Sequence, residues 1–143
     1  MTRLAPYGWR ARIGMLQPSL VADNNPHEFY LMAPPGVQLV LTSLGMVERS
    51  QRTADAAVHA LDRVEEPVRR LVARRVDVIV QAGIPLVTNH GCGYEAELRD
   101  RVARITPLPF AMDVRCSIDA MRGRQPVVSG GRTMIHCIAA ETP

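Results

Sequence analysis

Residues 57–83 read AVHALDRVEEPVRRLVARRVDVIVQAG, and two different periods meet inside that stretch. In its first part Ala57, Val58, Leu61, Val64, Val68, Leu71 and Val72 recur at the i, i+3/i+4, i+7 spacing that gathers apolar side chains on one helical face. Asp55, Asp62, Arg63, Glu66, Arg69 and Arg70 take the other positions. Pro67 has no amide hydrogen and is expected to kink this helix or split it in two. From Val76 to Val80 the chain is almost unbroken apolar, interrupted only by Asp77. A short β-rich run without alternation suits a strand buried on both faces, as in a parallel sheet covered by helices. A helix that feeds such a strand is part of a βαβ unit, so the stretch decides for α/β.

Three further runs extend the pattern. Ile13 to Gln17 lies between an arginine-rich start and Pro18, Val37 to Leu41 follows the break Ala33-Pro34-Pro35-Gly36, and Leu108 to Met112 is weakened by Pro109. A second helix is expected from Tyr94 to Arg104, with Leu98, Val102 and Ile105 turned inward, and a third from Cys116 to Met121. The order β-loop-β-α-β-α-β-α predicts a single α/β, Rossmann-like (flavodoxin-like) lobe. Its sheet is mostly parallel, of four to five strands in the order 2-1-3-4, as the right-handed crossover rule favours. The fifth strand would be Pro126 to Ser129, ended at once by Gly130-Gly131. The expected division is a basic arm over residues 1–12, the lobe over 13–121 and an irregular C-terminal tail over 122–143.

A chain of 143 residues with 47% hydrophobic residues has the size of one domain and enough apolar material for a core, which excludes disorder. No run approaches the ~18 consecutive apolar residues that span a bilayer. The arginines near the N-terminus are not followed by the apolar segment of a secretory signal, so the expected location is cytoplasmic. Cys92, Cys116 and Cys137 accordingly read as reduced thiols. With no C-x-x-C and no H-x-x-x-H spacing, no metal is expected. The net charge of +3 does not point to nucleic acid, because the excess arginines sit in residues 1–12 and 122–143 while 13–121 carries more acids than arginines.

In an open parallel sheet a ligand sits at the carboxyl ends of the strands. Two loops qualify, Gln17 to Pro26 after the first strand and Gln81 to Pro85 after the third. Gly91-Cys92-Gly93-Tyr94-Glu95-Ala96 satisfies G-x-G-x-x-A with Asp113 about 20 residues on, but it follows its strand too late and lies outside the first βαβ unit. A nicotinamide cofactor is therefore not expected, and Gly91 and Gly93 read as opening a helix. Cys116 opens the third helix, where the helix dipole can lower a thiol pKa, yet nothing adjacent marks an activated nucleophile and a structural role is favoured. Asp113, Arg115 and Asp119 read as surface charges around a helix start. Neither G-x-S-x-G nor a Walker-type glycine loop occurs.

Arg12-Ile13-Gly14-Met15-Leu16-Gln17-Pro18-Ser19 resembles the opening strand and P-S loop of the aspartate/glutamate racemase superfamily, in the branch of maleate isomerase and arylmalonate decarboxylase. Val76-Asp77-Val78-Ile79-Val80-Gln81-Ala82-Gly83 is similar to its third strand. Thr106-Pro107-Leu108-Pro109, leading to Ser117-Ile118-Asp119-Ala120-Met121, resembles the next strand and helix. The resemblance covers about residues 12–121. It implies a cofactor-independent decarboxylase (lyase) or cis-trans isomerase of two α/β lobes, acting on small carboxylates or dicarboxylates through a carbanion or enediolate. Racemases of this kind take one cysteine from each lobe. Gly83 stands at the first-lobe cysteine position, as in the decarboxylase type, whose proton-donating cysteine comes from the second lobe. The resemblance further implies that Pro18, Ser19, Gly83, Ile84 and Pro85 line the substrate pocket.

Three departures bear on that expectation. Ile84 and Pro85 replace small hydroxyl residues, and Pro85 removes a backbone donor. The asparagine expected shortly after the P-S loop is replaced by Val21, with Asn24 and Asn25 nearby. No second lobe follows Met121. The chain is therefore expected to be a truncated or frame-shifted copy of low or no activity, self-associating through an exposed lobe interface. Two copies would each present Gly83, and glycine moves no proton. Reading the encoding DNA past codon 121 in the other frames tests this. The alternative is a non-catalytic α/β binding or interaction domain, with neither nucleic acid nor membrane as partner.

Overall fold

The sheet is built of β1 (Ala11–Ser19), β2 (Val37–Met46), β3 (Val78–Gln81) and β4 (Phe110–Met112), all pairs parallel, in the order β2-β1-β3-β4. This computed structural model describes residues 7–19, 24–46 and 59–122. Among these residues, helices α1 (Asn24–Met32), α2 (Glu65–Ala73), α3 (Ile84–Thr88), α4 (Tyr94–Ala103) and α5 (Asp113–Arg122) flank the sheet. The order and parallel sense are those predicted from the periodicity and handedness.

The core forms where the helical stripe meets the strands. Leu61 and Val64, followed by Val68 and Leu71 of α2, pack with Leu16 of β1, Ile79 of β3, Leu98 and Val102 of α4 and Met112 of β4, and every one of them is buried. The break expected at Pro67 falls slightly earlier. A helical turn at 59–61 gives way to a turn at 62–64, and α2 then starts at Glu65 with Val64 as its N-cap. Pro67 thus lies in the first turn, where an amide has no intrahelical partner to lose. Asp77, the polar intruder before β3, is explained by pairing: its carboxylate accepts from Arg12 N at 2.7 Å and its own N–H donates to Arg12 O at 2.8 Å.

Two segments read as loops are helical. The connection between β1 and β2 contains α1, and the stretch after Gly83 contains α3. Asn24-Asn25-Pro26 carries the start signal of the first. Its apolar residues do not form a buried stripe, since Tyr30, Leu31 and Met32 are all exposed, so periodicity could not reveal it. The last helix begins at Asp113 rather than Cys116, directly after β4. Cys92 is disulfide-bonded, against the expectation of a reduced thiol, whereas Cys116 is a free, exposed thiol. The expected fifth strand and Cys137 lie outside the described residues. Among those described, no helix is long and apolar enough to cross a membrane.

Helix α1 also serves the edge of the sheet. The Tyr30 hydroxyl accepts from Leu39 N at 3.1 Å and from Gln38 Nε2, so two donors of edge strand β2 are satisfied within the lobe. Tyr30→Phe is expected to cost about 1 kcal/mol, the usual net worth of such a bond. Urea unfolding checks it; an unchanged midpoint would mean that water serves the Leu39 amide equally well.

Candidate functional site at the carboxyl edge of the sheet

Strand β1 ends in Gln17-Pro18-Ser19. Because Pro18 cannot donate, the ladder slips there, with Gln17 opposite Ser43 but Ser19 opposite Met46. Next to it, Ala82 N donates to Leu16 O at 3.0 Å and carries the pairing of β3 one residue beyond the strand. The chain then turns sharply at Gly83, whose φ of +98° lies in the left-handed region. A Cβ on Gly83 would stand 2.7 Å from Pro18 Cγ, so the two strand ends touch through these residues.

The Gly83 backbone is held from both sides. Gln81 is fully buried, and its Nε2 donates to Ala82 O at 2.7 Å and Gly83 O at 3.2 Å. Gly83 N donates to Asp113 Oδ2 at 3.1 Å. Asp113, read from sequence as a surface charge, is instead a half-buried clamp on this turn, and Arg115 pairs with Glu95 at 2.8 Å rather than standing alone. Position could have signalled the clamp: an acid in the first turn of a helix that starts straight after a strand lies at the same edge as the other strand ends.

The structure brings Pro18, Gly83, Ile84 and Pro85 to one edge, and Ser19 is the last residue of β1 there. Ile84 is half-buried against the core and Pro85 is exposed. The amides of this turn are largely committed, since Gly83's meets Asp113, Pro85 has none, and Leu86 N closes on Gly83 O at 3.0 Å. Ile84, the first residue of α3, carries the remaining one. The buried Oε1 atoms of Gln17 and Gln81, at the ends of the same two strands, have no protein partner. Cys116 is the fourth residue of α5, and its thiol is exposed. Among the described residues no group of three or more His, Cys, Asp or Glu could hold a metal.

The clamp predicts a measurable protection. Asp113→Ala is expected to speed hydrogen exchange at the Gly83 amide about tenfold or more, since a bond to a charged acceptor is worth about 1.5–3 kcal/mol. Asp113→Asn keeps an acceptor and should restore most of it. Equal exchange in all three proteins would show that the carboxylate does not hold this amide.

The parallel sheet of order 2-1-3-4 flanked by helices is a fold shared with known structures. Among solved structures, that of the maleate isomerase Iso from Pseudomonas putida S16 superposes with a TM-score of 0.62 at 20% identity, covering 78% of this chain and 48% of that one. Arylmalonate decarboxylase gives 0.57 at 22% identity, over 78% and 45%. The maleate cis-trans isomerase of Nocardia farcinica, a cysteine-to-serine mutant with a covalently bound succinylcysteine intermediate, gives 0.62 at 18% identity, over 78% and 48%. The chain spans about half the length of these structures, and at such identities the likeness is one of fold. No protein-family model matches the sequence, and no curated protein matches it.

Proposed function

We propose that this chain acts as the first lobe of a cofactor-independent decarboxylase or cis-trans isomerase for small carboxylates or dicarboxylates. The observation that carries the reading is the contact of Pro18 with Gly83 at the carboxyl edge, one residue before α3. Pro18, Ser19, Gly83, Ile84 and Pro85 then line one wall of the substrate pocket. In a decarboxylation the bond to the departing carboxyl breaks, and its electron pair remains on the α-carbon, delocalised into the neighbouring carboxylate. A proton must then reach that carbon. Gly83 has none to give, so this wall positions the substrate and the acid comes from a second lobe. Apolar Pro18 and Ile84 keep water from the carbanion on this side.

The purified full chain, titrated with maleate and phenylmalonate, tests the reading. Amide shifts centred on Gly83 and Ile84, with little or no turnover to fumarate or to phenylacetate and carbon dioxide, are the expected result. No shift at either amide up to about 10 mM, where even a millimolar dissociation constant would saturate, rejects it. The reading includes self-association of the lobe, seen as a concentration-dependent mass in sedimentation. Exposed Tyr7, Trp9, Leu31 and Met32 support it.

A specific observation favours a second reading, a non-catalytic binding domain. The Asp113 carboxylate already occupies the Gly83 amide that would otherwise receive a substrate oxygen. Turnover that follows the protein through every purification step would eliminate that reading.

A further inference from the structure

Five large apolar or aromatic side chains stand exposed at the opposite end of the sheet from the Pro18–Gly83 edge, and nothing in the proposed reaction uses them. Tyr7 and Trp9 precede β1, and Tyr30, Leu31 and Met32 close α1 shortly before β2. Ala11 opens β1 opposite Val37, the first residue of β2, so all five lie at the amino edge. The nine residues of β1 put about 25–30 Å between that edge and the carboxyl one, at ~3.3 Å per residue.

The five form one patch. The Trp9 indole lies against Gly36, where a Cβ would stand 2.6 Å from its Nε1, and Arg10 N donates to Gly36 O at 3.0 Å. Gly36 follows Met32 by only four residues. Gln38 joins the rest, because its Nε2 donates to the Tyr30 hydroxyl and its Cβ lies 3.1 Å from where a Cβ on Gly8, next to Tyr7, would stand. Exposure runs from 48% at Tyr30 to 80% at Met32. With about 150–250 Å² to each aromatic side chain and similar areas for Leu31 and Met32, roughly 600 Å² is left uncovered. Two such patches face to face would bury about 1,200 Å², where specific stable interfaces begin.

The flanks of the patch differ in charge. On the α1 side stands exposed Glu28, one helical turn before Met32, with His27 beside it. On the other side are exposed Arg10, Arg12 against the Tyr7 ring, and, ahead of β3, Arg74, Arg75 and Asp77. That flank is basic, by four arginines to one acid whose carboxylate already accepts from Arg12 N. A two-fold axis through the patch sets the α1 flank of each copy against the basic flank of the other, which is the self-complementarity an isologous interface needs.

We propose that a second copy of this chain docks on the patch about a two-fold axis, with Arg10 of each copy facing Glu28 of the other. The inference rests on the self-association read above, to which it gives a surface and a symmetry, and it does not depend on the carbanion chemistry. With the amino edges together, the two Pro18–Gly83 edges point apart. The dimer therefore assembles no shared substrate site, and each edge stays open to a second lobe.

Sedimentation of the full chain from about 1 to 500 μM, with the emission of Trp9, its one tryptophan, followed over the same dilution, tests this. Expected are a monomer–dimer equilibrium and a red shift of Trp9 on dissociation. Met32→Glu, at the most exposed of the five positions, should weaken association at least tenfold with an unchanged urea midpoint. Glu28→Arg and Arg10→Glu should each weaken it at least threefold, and the two together should regain wild-type association to within twofold. Pro85→Glu, at the far edge, should leave it unchanged. A double variant no better than either single one would overturn the two-fold pairing. A dimer weakened by Pro85→Glu and not by Met32→Glu would overturn the proposal and leave self-association standing at the site edge. A monomer throughout would overturn both and leave the first-lobe reading to its own titration.

Discussion

Gly83→Ala is expected to destabilise the lobe by about 3 kcal/mol, the sum of a strained backbone and a steric overlap. The backbone part follows from the φ of +98°, which residues with a Cβ rarely adopt. The overlap follows from the 2.7 Å between the added Cβ and Pro18 Cγ, well inside van der Waals contact. Neither side can yield freely. Gln81 and Asp113 fix the Gly83 carbonyl and amide, and Pro18 is a ring at a slipped point of the ladder. Gly83→Cys, which would place a thiol at this turn, carries the same two costs and is expected to be equally destabilised. A double-mutant cycle separates the parts. In a Pro18→Ala background the overlap is relieved, and Gly83→Ala should there cost about 1–2 kcal/mol, the backbone part alone. Urea midpoints of the four proteins provide the test. If Gly83→Ala costs the same in both backgrounds, the contact between the two strand ends contributes nothing.

That contact was legible from sequence only as far as general rules reach. The helical period before Val76 and the apolar run after it fixed α2 and β3, because a stripe on one face and burial on both leave different signatures. Handedness then ordered the strands, and the rule that ligands gather at strand ends placed Pro18 and Gly83 at one edge. What escaped had no period to read. Helix α1 turns Leu31 and Met32 to the outside, and α3 is five residues long with a proline among them. The Asp113–Gly83 bond joins residues 30 apart, and only the assembled sheet sets that distance. Asp77 is similar: it reads as a flaw in a strand until Arg12 is seen across from it. The site's apolar members were thus visible, while the polar groups that hold them in place were visible only in three dimensions.

Arg101→Met is expected to cost about 2 kcal/mol, because the mostly buried guanidinium donates to four acceptors and methionine to none. Arg101 lies on α4, with its side chain mostly buried. Nε donates to Glu65 Oε1 at 2.8 Å, Nη2 to Leu61 O and Asp62 O at 3.0 Å each, and Nη1 to the Tyr94 hydroxyl at 3.2 Å. Two of those acceptors are backbone carbonyls at the break between the 59–61 turn and α2, where regular helical bonding stops. One side chain therefore ties α4 to the start of α2 across the core. Arg101→Lys should recover less than half of the loss, since an ammonium cannot reach the same set in one plane. The effect must also depend on pH. The Arg101 hydrogen bond holds the Glu65 carboxyl below its ordinary value of 4.5. A depressed folded-state pKa contributes stability above the unfolded value, and that contribution is lost as pH falls through the folded one. The wild type should therefore exceed Arg101→Met by less at about pH 3 than at about pH 7, with the carbonyl part remaining at both. Urea unfolding at the two pH values decides it, and an equal difference at both would mean that the ion pair with Glu65 adds nothing to the tie.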